Sequence, residues 1–190
     1  MELRTRLTTG ATPLSGCAAL IRPLCEKNMK WIKEHFQQYR KRPSWNFCWR
    51  IAIEGTIITL AISFILEIFD LPEREMPFGF WPLLFIGVVI APIFETLLLQ
   101  ALPVWIARLC KARFSIQVVA SMVPFLLLHA IESIQTGIAA GLVSGFYLAF
   151  TYVHWRENRR WTAFWVTAVS HAIHNAILIP LALALGEITM

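Results

Sequence analysis

The chain has 190 residues, of which 57% are hydrophobic and 15% are charged, and its formal net charge at pH 7 is +5. A soluble domain carries about 25% charged and about 45–50% apolar residues, so this composition excludes an ordinary soluble domain and favours an integral membrane protein. No RNP, helix-turn-helix or zinc-finger pattern accompanies the positive charge, so we expect no nucleic-acid partner.

The first element is a basic segment over residues 1–45. The first fifty residues hold ten of the seventeen Lys and Arg residues and three Glu. Apolar and aromatic side chains recur at helical spacing from Leu24 to Tyr39, with basic residues between and after them. This pattern predicts an amphipathic helix on an anionic membrane surface; a mobile basic tail is the alternative for residues 1–22. We therefore predict a basic cytoplasmic or interfacial segment over 1–45 and a transmembrane domain over 46–190.

Five apolar stretches follow, each long enough to cross about 30 Å of hydrocarbon, which takes about 20 helical residues. Backbone polar groups in lipid must be satisfied within the segment, so each stretch is predicted to be a helix. The predicted fold is all-α, a polytopic membrane bundle of about five transmembrane helices. The spans are placed at 49–69, 80–107, 114–131, 134–155 and 161–185.

The connections between these spans alternate in charge. Those at 108–113 and 156–160 each carry three Lys or Arg residues, whereas the loop over 67–76 has four acidic residues and only Arg74. Lys and Arg in short loops mark the cytoplasmic side, so the N-terminus is predicted inside and the C-terminus outside. Seven tryptophans near span ends are expected to form an interfacial belt. They are Trp45, Trp49, Trp81, Trp105, Trp155, Trp161 and Trp165.

Polar residues interrupt three of the predicted spans. Glu95 lies in the second span, His129 in the third, and His171, His174 and Asn175 in the fifth. Counted from the nearest basic residue at about 1.5 Å per residue, Glu95, His129 and Asn175 lie roughly 20, 24 and 22 Å deep. His171, roughly 16 Å deep, shares a helix face with Asn175, since they are four residues apart.

This convergence predicts one polar site near the middle of the membrane. A lone intramembrane histidine is usually a hydrogen bond between helices. A carboxylate in mid-bilayer, however, is costly unless it is paired or hydrated, and His129 and His171 are the partners at matching depth for Glu95. His174 has no partner at i+4 in this set and is expected to pack between helices.

The polar residues fall in three motifs that resemble those of the CPBP family of intramembrane proteases, the Abi family, which includes the CAAX prenyl endopeptidases. The first family motif, EExxxR, is matched by P-I-F-E-T-L-L-L-Q at 92–100. The second, FxxxH, is matched from Phe125 to His129, and the third, HxxxN or HxxxD, from His171 to Asn175. Order, spacing and membrane placement agree over residues 80–185.

Two positions depart from the family pattern. Thr96 stands where the family usually has the second glutamate, and Gln100 stands where it usually has arginine. The two family residues can pair with each other, so replacing both leaves no buried charge without a partner. The chain is also shorter than the eukaryotic prenyl-protein enzymes. The resemblance therefore implies a divergent bacterial member, a multi-pass protein of the inner (cytoplasmic) membrane.

The resemblance implies an intramembrane endopeptidase acting on a membrane-associated or lipid-anchored protein or peptide. Peptide hydrolysis needs an activated water, a stabilised oxyanion and a proton for the leaving amine. Glu95, helped by His129, would activate the water, and His171 and Asn175 would form the oxyanion hole. No cofactor-binding residue is predicted. A divalent metal such as zinc is the rival account, since two histidines and a carboxylate suffice as protein ligands, although HExxH is absent.

Two other classes of function stay open at this point. One is a non-catalytic membrane scaffold or immunity-type protein, in which the polar residues only join helices. The other is a small proton-coupled transporter, because Glu and His chains also mark ion paths. No inverted internal repeat, which would favour a transporter, is evident. The substrate of a protease stays equally open: a prenylated C-terminus, a membrane-anchored precursor or a transmembrane tail.

Overall fold

The computed structural model describes residues 30, 34–35, 43–69, 74–75, 79–185 and 188–189. Most of the basic segment, including most of its predicted amphipathic helix, lies outside these residues. The chain divides into two compact units, Met1–Gln38 and Tyr39–Met190. The described part of the second unit contains all the helices discussed below.

In the part of the chain that the structure describes, five helices are long and apolar enough to cross a membrane. They are α1 (Ser44–Glu67), α2 (Phe80–Leu109), α3 (Phe114–Glu132), α4 (Ile134–Arg156) and α5 (Arg160–Leu185). The predictions of an all-α bundle and of a multi-pass membrane protein are confirmed. Helix α1 begins at Ser44, five residues before the predicted 49, because its first turns pack inside the bundle: Phe47 is fully buried, 5.4 Å from the ring of Trp155.

The loop between α1 and α2 meets the end of the chain. Two short strands pair there in parallel, β1 (Arg74–Glu75) with β2 (Ile188–Thr189). An odd number of antiparallel spans makes this pairing possible, because α1 and α5 then end on the same side. We call this side, which also holds the α3–α4 turn at Ser133, the strand end. The opposite side, with the connections at 110–113 and 157–159, is the basic end; its cytoplasmic location stays a prediction.

Helix α4 lies at the centre of the bundle. In its most apolar stretch 67% of the residues are buried, against 17–39% in the other four helices. Three glycines spaced four apart, Gly137, Gly141 and Gly145, face α3. A Cβ at Gly137 would lie 2.8 Å from Cα of Ala130, and one at Gly141 would lie 3.0 Å from Cα of Leu126. Small residues at this spacing let two helix backbones approach closely, so α3 is held tightly against α4.

Helix α2 departs from α-helical hydrogen bonding at Ile86–Ile90, which forms a π-type turn. The N–H of Ala91 donates to the carbonyl of Ile86, five residues back, and not to that of Gly87. The next residue, Pro92, has no N–H to donate. The carbonyl of Gly87 therefore lacks a donor within its own helix.

The outer surface of the bundle is apolar, as expected where helices contact lipid. Five of the predicted belt tryptophans are 54–74% exposed. They are Trp45, Trp81, Trp105, Trp161 and Trp165. The prediction for Trp155 is wrong, because it lies on the central helix α4 and is 7% exposed. Exposure of large apolar side chains on this scale marks a membrane surface in a chain that crosses the bilayer.

Candidate active site

A cavity of about 380 Å³ lies among the five helices of the described part of the chain. Its lining includes Glu95, His129, His171 and Asn175, the four residues predicted to be catalytic, and also His174. A volume of this size falls in the range of sites that hold small ligands. The structure thus brings three motifs, separated by up to eighty residues of sequence, into one space.

Glu95 and His171 face each other within this cavity. Oε2 of Glu95 lies 3.9 Å from Nε2 of His171, and the side chains are 20% and 4% exposed. This distance is too long for a direct hydrogen bond, which needs about 2.7–3.2 Å, and a water molecule can bridge it. The glutamate is therefore open to the cavity, whereas the histidine is enclosed by the surrounding helices.

The orientation of His129 follows from its contact with the preceding turn of α3. Its Nδ1 lies 2.9 Å from the carbonyl oxygen of Phe125. A carbonyl only accepts, so Nδ1 carries the proton, and Nε2 of the neutral ring is an acceptor. The ring also stacks on Phe125, with centroids 4.4 Å apart, and Phe125 in turn contacts the ring of His171 at 5.7 Å. The ring of Phe125 thus contacts the rings of both histidines.

Asn175 is held by the irregular part of α2. Its Nδ2 donates to the carbonyl of Gly87 at 2.7 Å, which is the carbonyl left without a helical donor before Pro92. An amide nitrogen carries two hydrogens, so a second N–H is left for another acceptor. A Cβ at Gly87 would come within 2.4 Å of Cδ1 of Ile179, so the absence of a side chain there permits this close approach of α2 and α5.

His174 has a separate set of contacts that join three helices. Its Nδ1 lies 2.8 Å from Oγ1 of Thr56 in α1, and its Nε2 lies 3.0 Å from Oγ of Ser144 in α4. The hydroxyl of Thr56 donates to the carbonyl of Ala52, so Thr56 accepts from Nδ1–H of His174. Ser144 then donates to Nε2. Both ring nitrogens are thus engaged between helices, which is the packing role expected from the sequence.

Thr96 and Gln100, the two departures from the family pattern, lie away from the cavity. Their exposures are 1% and 0%, and neither lines the cavity. The hydroxyl of Ser121 in α3 donates to the amide oxygen of Gln100 and also lies 3.1 Å from the carbonyl of Leu99. The usual helical donor to the Leu99 carbonyl would be the N–H of the residue four positions later, but that residue is Pro103, which has no N–H. Gln100 therefore helps to join α2 to α3.

Several polar residues of the cavity were not predicted from the sequence. Thr59 and Ser63 of α1, Ser144 of α4 and Glu132 at the end of α3 all line it. A signal was present in α1: Thr56, Thr59 and Ser63 recur at helical spacing in an apolar span, which indicates a polar face directed at the protein interior. All three are buried.

Most catalytic zinc sites have three protein ligands. Among the described residues, no group of three or more His, Cys, Asp or Glu side chains is arranged to hold a metal ion. Glu95 and His171 by themselves would supply two ligands. The zinc alternative stays a prediction.

Comparison of the chain with protein-family models, with curated proteins and with solved structures gave no match. Membership of the CPBP family therefore stays a resemblance in three motifs.

Proposed function

We propose that the protein is an intramembrane endopeptidase that hydrolyses a peptide bond of a membrane-associated or lipid-anchored protein. The observation that carries this proposal is the gap of 3.9 Å between the Glu95 carboxylate and the His171 ring in a cavity of about 380 Å³. A base and a hydrogen-bond donor on opposite sides of a water-sized gap suit the addition of water to a carbonyl. A bacterial inner membrane is the proposed location.

In the proposed reaction, Glu95 takes a proton from water while the water oxygen attacks the carbonyl carbon of the substrate. The negative charge that develops on the carbonyl oxygen accepts hydrogen bonds from His171 and from the second N–H of Asn175. The C–N bond then breaks, and Glu95 returns its proton to the leaving amine. His129, whose Nε2 is an acceptor, orients the attacking water. A general base contributes typically 10²–10⁴-fold in rate, and one oxyanion donor about 10²–10³-fold.

Two features of the cavity favour hydrolysis over the alternative functions. A proton path must reach both faces of the membrane, but the cavity lining has no residue from the connections at 110–113 or 157–159. A scaffold needs polar side chains that form hydrogen bonds between helices. Two pairs already provide such bonds, His174 with Ser144 and Gln100 with Ser121. Glu95 lines the cavity, where a catalytic base would have to lie.

The proposal is tested by cleavage in liposomes. The reporters carry a prenylated C-terminus, a lipid-anchored precursor segment or a single transmembrane tail, and mass spectrometry identifies the products. Glu95→Gln should lower the rate on a cleaved reporter by at least about 10²-fold, because an amide cannot act as the base. Glu54→Gln is the matched control, since Glu54 is a half-buried carboxylate of α1 outside the cavity that accepts a hydrogen bond from Tyr147 at 2.9 Å.

Full activity of a well-folded Glu95→Gln protein would refute the mechanism. Metal analysis of the purified wild-type protein accompanies the assay. A stoichiometric zinc ion, lost together with activity on chelation, would replace the metal-free mechanism by the zinc alternative.

A further inference from the structure

The hydroxyl of Ser144 on the central helix α4 is directed at a histidine. A serine inside a helix often donates to the carbonyl four residues earlier in its own helix, as Ser170 does to Val166 at 2.7 Å. Ser144, which is 5% exposed, lies instead 3.0 Å from Nε2 of His174 in α5. A serine within hydrogen-bond reach of an imidazole nitrogen has the arrangement of a nucleophile beside its base.

The contacts of His174 leave its ring in the state that such a base requires. Thr56 donates its only hydroxyl hydrogen to the carbonyl of Ala52 at 2.8 Å, so it accepts from Nδ1–H of His174. With Nδ1 protonated, Nε2 of the neutral ring is an acceptor. Ser144 is also 3.4 Å from the hydroxyl of Thr59, but Nε2 is nearer at 3.0 Å, so Ser144 donates to His174. The contacts that join three helices therefore also leave a general base beside a serine, oriented by a third group.

Ser144 and His174 both line the cavity of about 380 Å³. Part of the same lining is apolar and comes from Leu83 and Ile86 of α2 and from Leu178 of α5. Small-molecule sites are typically lined by apolar side chains, with a few polar groups that fix the orientation of the ligand. A molecule with an apolar chain and one polar carbonyl group fits such a lining. The serine therefore lies in a space where an acyl group can meet it.

We propose that Ser144 is the nucleophile of a second activity in this cavity, the hydrolysis of carboxylic esters that have an apolar acyl group. The oxygen of Ser144 bonds to the carbonyl carbon while Nε2 of His174 takes the hydroxyl proton. The bond to the alcohol oxygen breaks, and His174 gives that proton to the leaving alcohol. Water then attacks the acyl-serine ester, its proton passes through His174 to the oxygen of Ser144, and the acid is released. Thr56 is a positioning residue, because it contacts only the base.

A covalent probe tests the nucleophile without a peptide substrate, so this activity and the proposed peptide hydrolysis can fail separately. The full-length protein in detergent is treated with a fluorophosphonate that carries an alkyl chain. Ser144 should displace fluoride and form one phosphonate ester, which intact mass and peptide mapping identify. Ser63 is the internal control, because it is another buried serine of the cavity lining. An adduct on Ser63, or one that persists in Ser144→Ala, would overturn the proposal.

A cysteine at the same position distinguishes a serine that is not activated from one that is not reached. Ser144→Cys is made in a background in which the four native cysteines are replaced by alanine, and it is treated with methyl methanethiosulfonate. We expect the folded protein to react. A reactive thiol without any phosphonate on Ser144 of the wild type would refute activation by His174. A thiol that reacts only after denaturation would refute the access that the proposal requires.

Rates of phosphonate formation test the base and the positioning residue. His174→Gln should slow the reaction at least about 10²-fold, the lower end of a general-base contribution. Thr56→Val should slow it about two- to tenfold, the factor that one hydrogen bond supplies, and Thr56→Ser, which keeps the hydroxyl, should restore the rate. Equal rates in the wild type and a folded His174→Gln protein would overturn the proposal, as would equal rates in the two Thr56 variants.

Nitrophenyl esters test the class of substrate. The octanoate should react faster than the acetate, because its chain can pack against the apolar part of the lining. Mass spectrometry after an acid quench should detect an octanoyl group on Ser144, and Ser144→Ala should carry none. Absence of this acyl group from the wild type, or a faster reaction with the acetate, would refute the assignment to esters with an apolar acyl group.

Discussion

The hydrogen bond from Asn175 to Gly87 offers a test of how the site is held together. Asn175→Ala removes the donor at 2.7 Å from the Gly87 carbonyl. This carbonyl has no helical replacement, since Ala91 donates to Ile86 and Pro92 lacks an N–H. A fully buried acceptor left without a donor costs about 1–3 kcal/mol, and because this contact is partly buried we expect the lower end of that range. For a domain of this size, about 1 kcal/mol corresponds to a Tm lower by roughly 2–4 °C.

The same geometry predicts a rescue. Pro92→Ala restores a backbone N–H that can donate to the first turns of α2, so Asn175→Ala should destabilise the Pro92→Ala protein less than it destabilises the wild type. The assay is thermal unfolding of the four proteins of this double-mutant cycle in detergent. A coupling of at least about 0.5 kcal/mol is expected for residues that share one acceptor. Equal losses of stability in both backgrounds would show that Asn175 does not act through this carbonyl.

Two further predictions concern the histidines and the contact between α3 and α4. His129→Ala and His171→Ala should each lower the cleavage rate at least about 10²-fold. The double variant should lose little more than either single variant, because the effects of residues that act as one catalytic unit are not additive. A double variant whose loss in the reporter assay is the product of the two single losses would contradict this. Gly141→Leu should prevent normal folding, since its Cβ alone would lie 3.0 Å from Cα of Leu126. Gly141→Ala should be milder, and size-exclusion profiles that match wild type for both would count against the close packing.

The number and order of the spans could be read from the sequence because the signal is local. Burial in hydrocarbon requires a run of about 20 apolar residues, whatever the rest of the chain does. Four of the five predicted spans accordingly begin within one residue of the observed helices. The depths of Glu95, His129 and Asn175 could be predicted for the same reason, since rise per residue is a property of the helix itself.

Contacts between helices needed the tertiary structure. Trp155 matched an interfacial tryptophan by its position at a span end, yet the central placement of α4 buries it against Phe47. No local rule pairs His174 with Thr56 and Ser144, which lie 118 and 30 residues away. Such pairs depend on how each helix is rotated about its axis, and that rotation is decided by packing against its neighbours.

The sequence by itself predicted that Glu95, His129, His171 and Asn175 lie at similar depths, because depth follows from span position and helical rise. Only the tertiary structure decided that all four line one cavity. The physical reason is that depth is one coordinate along the membrane normal. The other two coordinates arise from close contacts between helices, such as the glycines of α4 against α3 and the Gly87 carbonyl held by Asn175.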